Sequence, residues 1–146
     1  MKNYRWLACA GAILMVATTA GAGQQPAAKL VKFTAPVRGE AQMGFTKPVT
    51  KRTGKEITTV ITVKNLSDKL ALVGLKVDEF WYDKAGNPIT GDQYRHRKPI
   101  QPGEMIDVTL HTPVIPKMDR NQYKFEHANG SIKAVPMNAK GEVTGS

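Results

Sequence analysis

Histidine and methionine are the side chains here with the widest chemical range. His96, His111 and His127 fall in separate segments, and no pair of them has H-x-x-x-H spacing. Imidazole and thioether together suit copper, so Met105, His111, Met118 and His127 form a candidate metal set. The plainer alternative is four unrelated surface and core residues. Asp78, Glu79 and Asp83 are close enough in sequence to crowd one strand, and a carboxylate pair can do acid–base work. Such residues more often solvate a strand or open a turn. Ser67 and Ser131 fall at turns and Ser146 ends the chain, none of them within G-x-S-x-G. There is no Gly-rich phosphate loop. The sequence therefore predicts no catalytic residue and no cofactor.

The densest positive segment is Arg95-His96-Arg97-Lys98, with Tyr94 beside it. On a strand, Arg95 and Arg97 share one face, and Tyr94, His96 and Lys98 share the other. Guanidinium groups at such spacing can grip carboxylate or phosphate. Tyr94, Arg95, Arg97 and Lys98 are accordingly the candidate contacts for an anionic partner. The competing reading is edge protection, because charge on a strand edge discourages aggregation.

What positions these residues begins with the compartment. Met1 to Arg5 is short and basic, Trp6 to Ala17 is uncharged and apolar, and small residues follow to Gly23. That order is a secretory signal, and Ala20-Gly21-Ala22 places cleavage after Ala22. The apolar run is short for a membrane span, which needs about 20 residues; an uncleaved anchor is the alternative. Cys9 is the only cysteine, and Leu7-Ala8-Cys9-Ala10 faintly resembles a lipoprotein box with too little apolar sequence ahead of it. Once the signal is removed, disulfides and thiolate chemistry are excluded. The expected location is periplasmic or secreted.

The formal net charge is +9, and loss of Lys2 and Arg5 with the signal takes two from it. The expected partners are an envelope protein or an anionic envelope polymer. Export argues against nucleic acid, and no stable membrane insertion is expected after cleavage.

Residues 23–36 read as a leader, 37–137 as a β domain and 138–146 as a flexible tail. Leu30 to Phe33 could add a short strand. Glu40 to Thr50 alternates modestly, with Pro48 suggesting an edge. Ile57, Thr59, Ile61 and Val63 alternate with more polar neighbours, Val60 excepted, as a half-buried strand does. Ala71 to Asp83 alternates and then slips phase. Either a bulge near Asp78-Glu79 turns Phe80 and Tyr82 inward, or Trp81 faces inward with Glu79 at the rim. Asp83 to Asn87 reads as a hairpin loop with Gly86 left-handed. The return strand covers Pro88 to Arg97. Ile100 to Glu104 is a turn, and Ile106, Val108 and Leu110 then form the clearest strand. Pro113 to Gln122 reads as a crossover. Tyr123, Phe125 and His127 alternate inward, Asn129-Gly130 suits a type I′ hairpin, and Ile132 to Met137 returns. No helical period or repeat is visible. About seven short strands imply an antiparallel sandwich or small barrel.

Val63-Lys64-Asn65-Leu66-Ser67, the strand Val73 to Val77, Phe80-Trp81-Tyr82-Asp83 with Gly86, and the turn at Pro102-Gly103 follow one another in an order that resembles an FxLYD-type domain. The naming motif, Phe-x-Leu-Tyr-Asp, lacks its spacing and its leucine here. The resemblance spans about Glu56 to Pro113. It implies an Ig-like β-sandwich in an exported prokaryotic protein, with no functional residues to carry over. The expectation is a non-catalytic binding or scaffolding module of the bacterial envelope. The alternatives are a small periplasmic copper-handling protein and, more weakly, a hydrolase with a dispersed site.

Overall fold

The computed structural model describes residues 33–144. The expected signal peptide at 1–22, Cys9, and most of the expected leader and of the Leu30–Phe33 strand lie outside the described residues. Eight strands form, and no helix, among the described residues. They are β1 (Ala41–Phe45), β2 (Val49–Thr53), β3 (Glu56–Asn65), β4 (Lys76–Tyr82), β5 (Pro88–Arg95), β6 (Met105–Pro113), β7 (Arg120–His127) and β8 (Gly130–Pro136). The expected single run from Glu40 to Thr50 is two strands, because the chain breaks pairing around Lys47-Pro48 and resumes at Val49.

β3 is the backbone of the sheet. It pairs antiparallel with β6 along its whole length, Glu56 opposite Pro113 and Lys64 opposite Met105. Its other edge is shared, β2 taking Glu56 to Val60 and β1 taking Val63 to Asn65. β1 then pairs with β8, followed in order by β7, β4 and β5. The β1–β8 ladder is parallel, Ala41 opposite Ile132 and Phe45 opposite Pro136, so the sheet is mixed and not wholly antiparallel as expected. Nothing local in either strand signals that pairing, which joins segments from the two ends of the domain.

Alternation decides the core. In β3 every second residue from Ile57 to Asn65 is buried, as its β-branched pattern predicts. Ile61 and Val63 pack with Val108 and Leu110 of β6, Val77 of β4, and Met43, Leu72, Leu75 and Ile100. Phe45, Tyr94, Tyr123, Phe125 and Ile132 close over this cluster. Each fully buried aliphatic side chain contributes roughly 1.5–3 kcal/mol.

β4 keeps its phase through Asp78-Glu79, and the register irregularity comes later, between Trp81 and Tyr82. Val77 and Glu79 are therefore both inward, and Phe80 is 37% exposed. Neither sequence expectation is met in full, since Glu79 is not at a rim but 1% exposed. The Asp83–Asn87 loop closes as expected, with Asp83 N–H donating to Asn87 O at 3.0 Å and Gly86 at φ 89°. The β7–β8 hairpin differs. His127 pairs with Gly130, so Ala128 and Asn129 are the loop, and neither has the positive φ that a type I′ turn demands. Residues 138–144 are not loose, for Asn138 N–H donates to Glu142 O at 2.9 Å and Thr144 N–H to Pro136 O at 2.9 Å.

The sheet curls until its two outer strands, β5 and β6, touch without forming a ladder. Asp92 of β5 instead accepts the backbone N–H of His111 on β6 at 2.7 Å.

Candidate functional site

Two connections and a strand converge at the end of the sheet where β3 begins and β6 finishes. The end of β2 supplies Arg52, the β2–β3 turn Gly54 and Lys55, the β6–β7 loop Val114 to Met118, and β4 Trp81. Between them lies a cleft of about 750 Å3. The loop is tied down at both ends, Val114 N–H donating to Lys55 O at 2.8 Å and Asp119 N–H to Tyr82 O at 2.9 Å. Within it Ile115 N–H meets Met118 Sδ at 3.2 Å, and Lys117 sits at φ 76°, a conformation that side chains other than glycine seldom take. That backbone holds the crossover in a tight turn.

The wall is apolar (Ile57, Val114, Ile115, Pro116 and Met118), while Arg52, Lys55 and Lys117 supply charge of one sign. No carboxylate, histidine, serine or cysteine is in the lining. Among the described residues none of these three cations makes an ion pair. Trp81 Nε1 is buried with no hydrogen-bond partner, and an orphaned donor costs about 1–3 kcal/mol. Chemically the arrangement can hold an anion with an apolar body. A guanidinium offers a bidentate grip, and two exposed ammonium groups add positive charge at the mouth of the cleft.

In β4, two residues before Trp81, Glu79 ends in a polar knot. Its Oε1 accepts from Thr59 Oγ1 at 3.1 Å, Tyr123 OH at 3.1 Å and Asn121 Nδ2 at 3.2 Å, and its Oε2 from Thr112 Oγ1. Asn121 Nδ2 also reaches Tyr123 OH at 2.7 Å. β3, β6, β4 and β7 are thereby bound through one carboxylate. Burial, then the charge of Glu79, pushes the Tyr123 phenol up to about 12. With its oxygens occupied, Glu79 is fixed as an internal tie and is unsuited to proton transfer with a ligand.

The residues singled out from sequence are placed differently. Tyr94 and His96 turn inward together, rings stacked and Tyr94 OH 3.1 Å from His96 Nδ1. Arg95, Arg97 and Lys98 are exposed, and Arg95 Nε donates to Gln93 Oε1 at 3.0 Å. The expected alternation holds, with Arg95 and Arg97 exposed and Tyr94 on the opposite face, where it packs against the core.

Three of the four candidate copper ligands, His111, Met118 and His127, have contacts of their own. Met105 and His111 stand six positions apart on one extended strand, a rise of about 20 Å. His111 Nδ1 is 3.0 Å from Glu56 Oε1, Met118 receives Ile115 N–H, and His127 Nε2 is 2.8 Å from Gly39 O. Asp78 is engaged by Lys76 at 2.9 Å and by Gln93 at 2.7 Å, away from the Glu79 carboxyl. Lys76 also meets Glu126 at 2.7 Å. Hydrogen bonds from Lys124 and Lys76 lower the Glu126 carboxyl to about 2. Asp83 caps its own turn through Asn87 N–H at 2.9 Å.

Sequence reasoning missed the cleft cations. Lys51-Arg52 before Gly54-Lys55 and the Pro116-Lys117 turn are visible as basic turn residues, but only the pairing of β3 with β6 brings them together. Compared with known proteins, the chain matches no family model, and no curated protein is significantly similar to it.

Proposed function

We propose that this chain is a non-catalytic exported binding module, an Ig-like β-sandwich of FxLYD type, that holds an anionic envelope partner at the cleft between the β2–β3 turn and the β6–β7 loop. The pairing order supports the fold reading. β3 with β6 and β4 with β5 and β7 are two antiparallel groups linked through β1, which leaves β3 to run parallel with β8, and a curled sheet of that order is compatible with two facing layers. The basic start, apolar run and Ala20-Gly21-Ala22 exit support export. The observation that carries the binding reading is the cleft itself, where Arg52, Lys55 and Lys117 share an apolar wall with no acid in the lining.

Salt-gradient elution from an anionic matrix tests it. Replacement of Arg52 and Lys117 together by serine should move elution to clearly lower salt than the same replacement of Arg95 and Arg97. Equal shifts for the two pairs would reduce the effect to net charge and remove the cleft from the account. A larger shift for Arg95 and Arg97 would move the site to β5.

A further inference from the structure

The edges of this sheet are managed unequally. β5 and β6 are latched to one another through Asp92 and the His111 N–H. The outer edge of β1 is covered by β8. β2 continues along the same side of β3 that β1 occupies, but β8 does not follow it. That strand stops at Pro136 opposite Phe45, Met137 N–H closes onto Phe45 O at 2.8 Å, and the chain turns away. Among the described residues β2 has β3 as its single ladder partner, and all five of its residues are exposed. About 17 Å of backbone donors and acceptors is thus left open.

β2 and its flanking turns carry only cations, and the nearest acid, Glu56 opposite Thr53, is engaged by His111 at 3.0 Å. Residues 41–55 contain Lys47, Lys51, Arg52 and Lys55 and no aspartate or glutamate. The register divides them between the faces. Arg52 stands opposite the buried Ile57, so it lies on the core side towards the cleft, and Lys51 stands opposite Thr58 on the outer side. Like charges directly opposite one another destabilise a ladder, and opposite charges stabilise it. A second copy of β2 would set cations against cations. An extended segment bearing acids would meet one cation on each face while its backbone completed the ladder.

We propose that the open edge of β2 receives an acidic, extended polypeptide segment of a partner as an added strand. This rests on the anionic-partner reading and specifies the partner's chemistry and its mode of attachment. One acidic side chain of the added strand then points to Arg52 at the mouth of the cleft and the next to Lys51.

The test uses a labelled synthetic peptide in which two adjacent glutamates, one for each face of the added strand, are set among valine and threonine. Two further peptides of the same sequence carry N-methyl groups on one or the other alternate set of backbone amides. Binding is followed by fluorescence anisotropy at low salt, alongside retention on an anionic matrix. The unmethylated peptide should bind, and methylation of one set but not the other should weaken it at least about tenfold, because only one set faces β2. The Lys51→Glu/Arg52→Glu variant should lose the peptide by a similar factor, with an unchanged circular dichroism spectrum. Amide hydrogen exchange should slow in residues 49–53 on binding.

Equal binding of all three peptides would overturn strand addition and leave an anion-binding cleft. No peptide binding, with retention on the anionic matrix still dependent on Arg52 and Lys117, would also overturn strand addition alone. Loss of both would sink the underlying reading as well. Dimerisation through residues 49–53 in sedimentation would give the edge to a second copy and overturn the proposal.

Discussion

Tyr123 donates its hydroxyl to Glu79 Oε1 across 3.1 Å, and the bond ties β7 to β4 inside the curled sheet. Glu79 accepts three further donors from β3, β6 and β7, and no cation stands among them.

Replacing this carboxyl strands the donors. Glu79→Leu should cost about 3 kcal/mol or more, since several buried polar groups lose their acceptor at once. Glu79→Gln keeps the volume but offers one accepting oxygen, and should cost roughly 1–2 kcal/mol. Urea midpoints give both numbers. A Glu79→Leu protein as stable as the parent would mean that the knot contributes nothing net to folding.

Alkaline stability follows from the same contact. The Tyr123 phenol is raised from 10.0 to about 12 by burial and then by the charge of Glu79. Below pH 10 the folded and unfolded chains both hold this proton. Above it the unfolded chain loses the proton first, so the stabilisation fades as pH rises through 12. Tyr123→Phe should flatten the decline in unfolding free energy between pH 10 and 12 by up to one proton's slope. An unchanged slope in urea titrations would show that this group does not govern the decline.

Asn65 is 1% exposed and bridges three segments. Its Nδ2 donates to Leu70 O at 2.8 Å and Ile100 O at 2.9 Å, and its Oδ1 accepts Ser67 N–H at 3.0 Å. Asn65→Ala should cost about 2–3 kcal/mol, as buried carbonyls are left unpaired. Asn65→Asp should cost at least as much, because a carboxylate cannot donate to them. Thermal or urea unfolding of the two variants checks the order.

Gly130 is required by proximity. A Cβ there would lie 2.1 Å from Gly39 O, and this backbone has no flexible side chain to move aside. Gly130→Ala should cost about 2 kcal/mol or more and should disturb the His127–Gly39 contact, seen as a shift in the His127 ring resonances. A variant with parental stability and spectra would show that the two turns are not packed as described.

How much of this was legible depends on how far each cause lies along the chain. The inward face of β3 needed only the alternation of Ile57, Ile61 and Val63, which is local. Glu79 was misplaced because its donors Thr112 and Tyr123 are 33 and 44 positions away. No neighbouring residue announces that a buried carboxylate will be satisfied. Asn129-Gly130 carries the right letters for a type I′ turn, but the turn slid one residue back. There Asn129 Nδ2 donates to Val37 O at 3.1 Å and Asn129 O accepts Gly39 N–H at 3.0 Å, ninety or so positions upstream. Tyr94, Arg95, Arg97 and Lys98 were conspicuous as a contiguous run. Arg52, Lys55 and Lys117 were not, although they share one cleft, because a sheet gathers residues by register and not by sequence distance.

The Asp92–His111 bond has a consequence for colloidal behaviour. Two strand margins that could each template growth are packed together, and an acidic side chain meets an amide between them. Neutralising it with alanine would expose both margins together, so the harm should fall on solubility in concentrated solution more than on the melting temperature. At this rim, one carboxylate should help to keep the protein monodisperse.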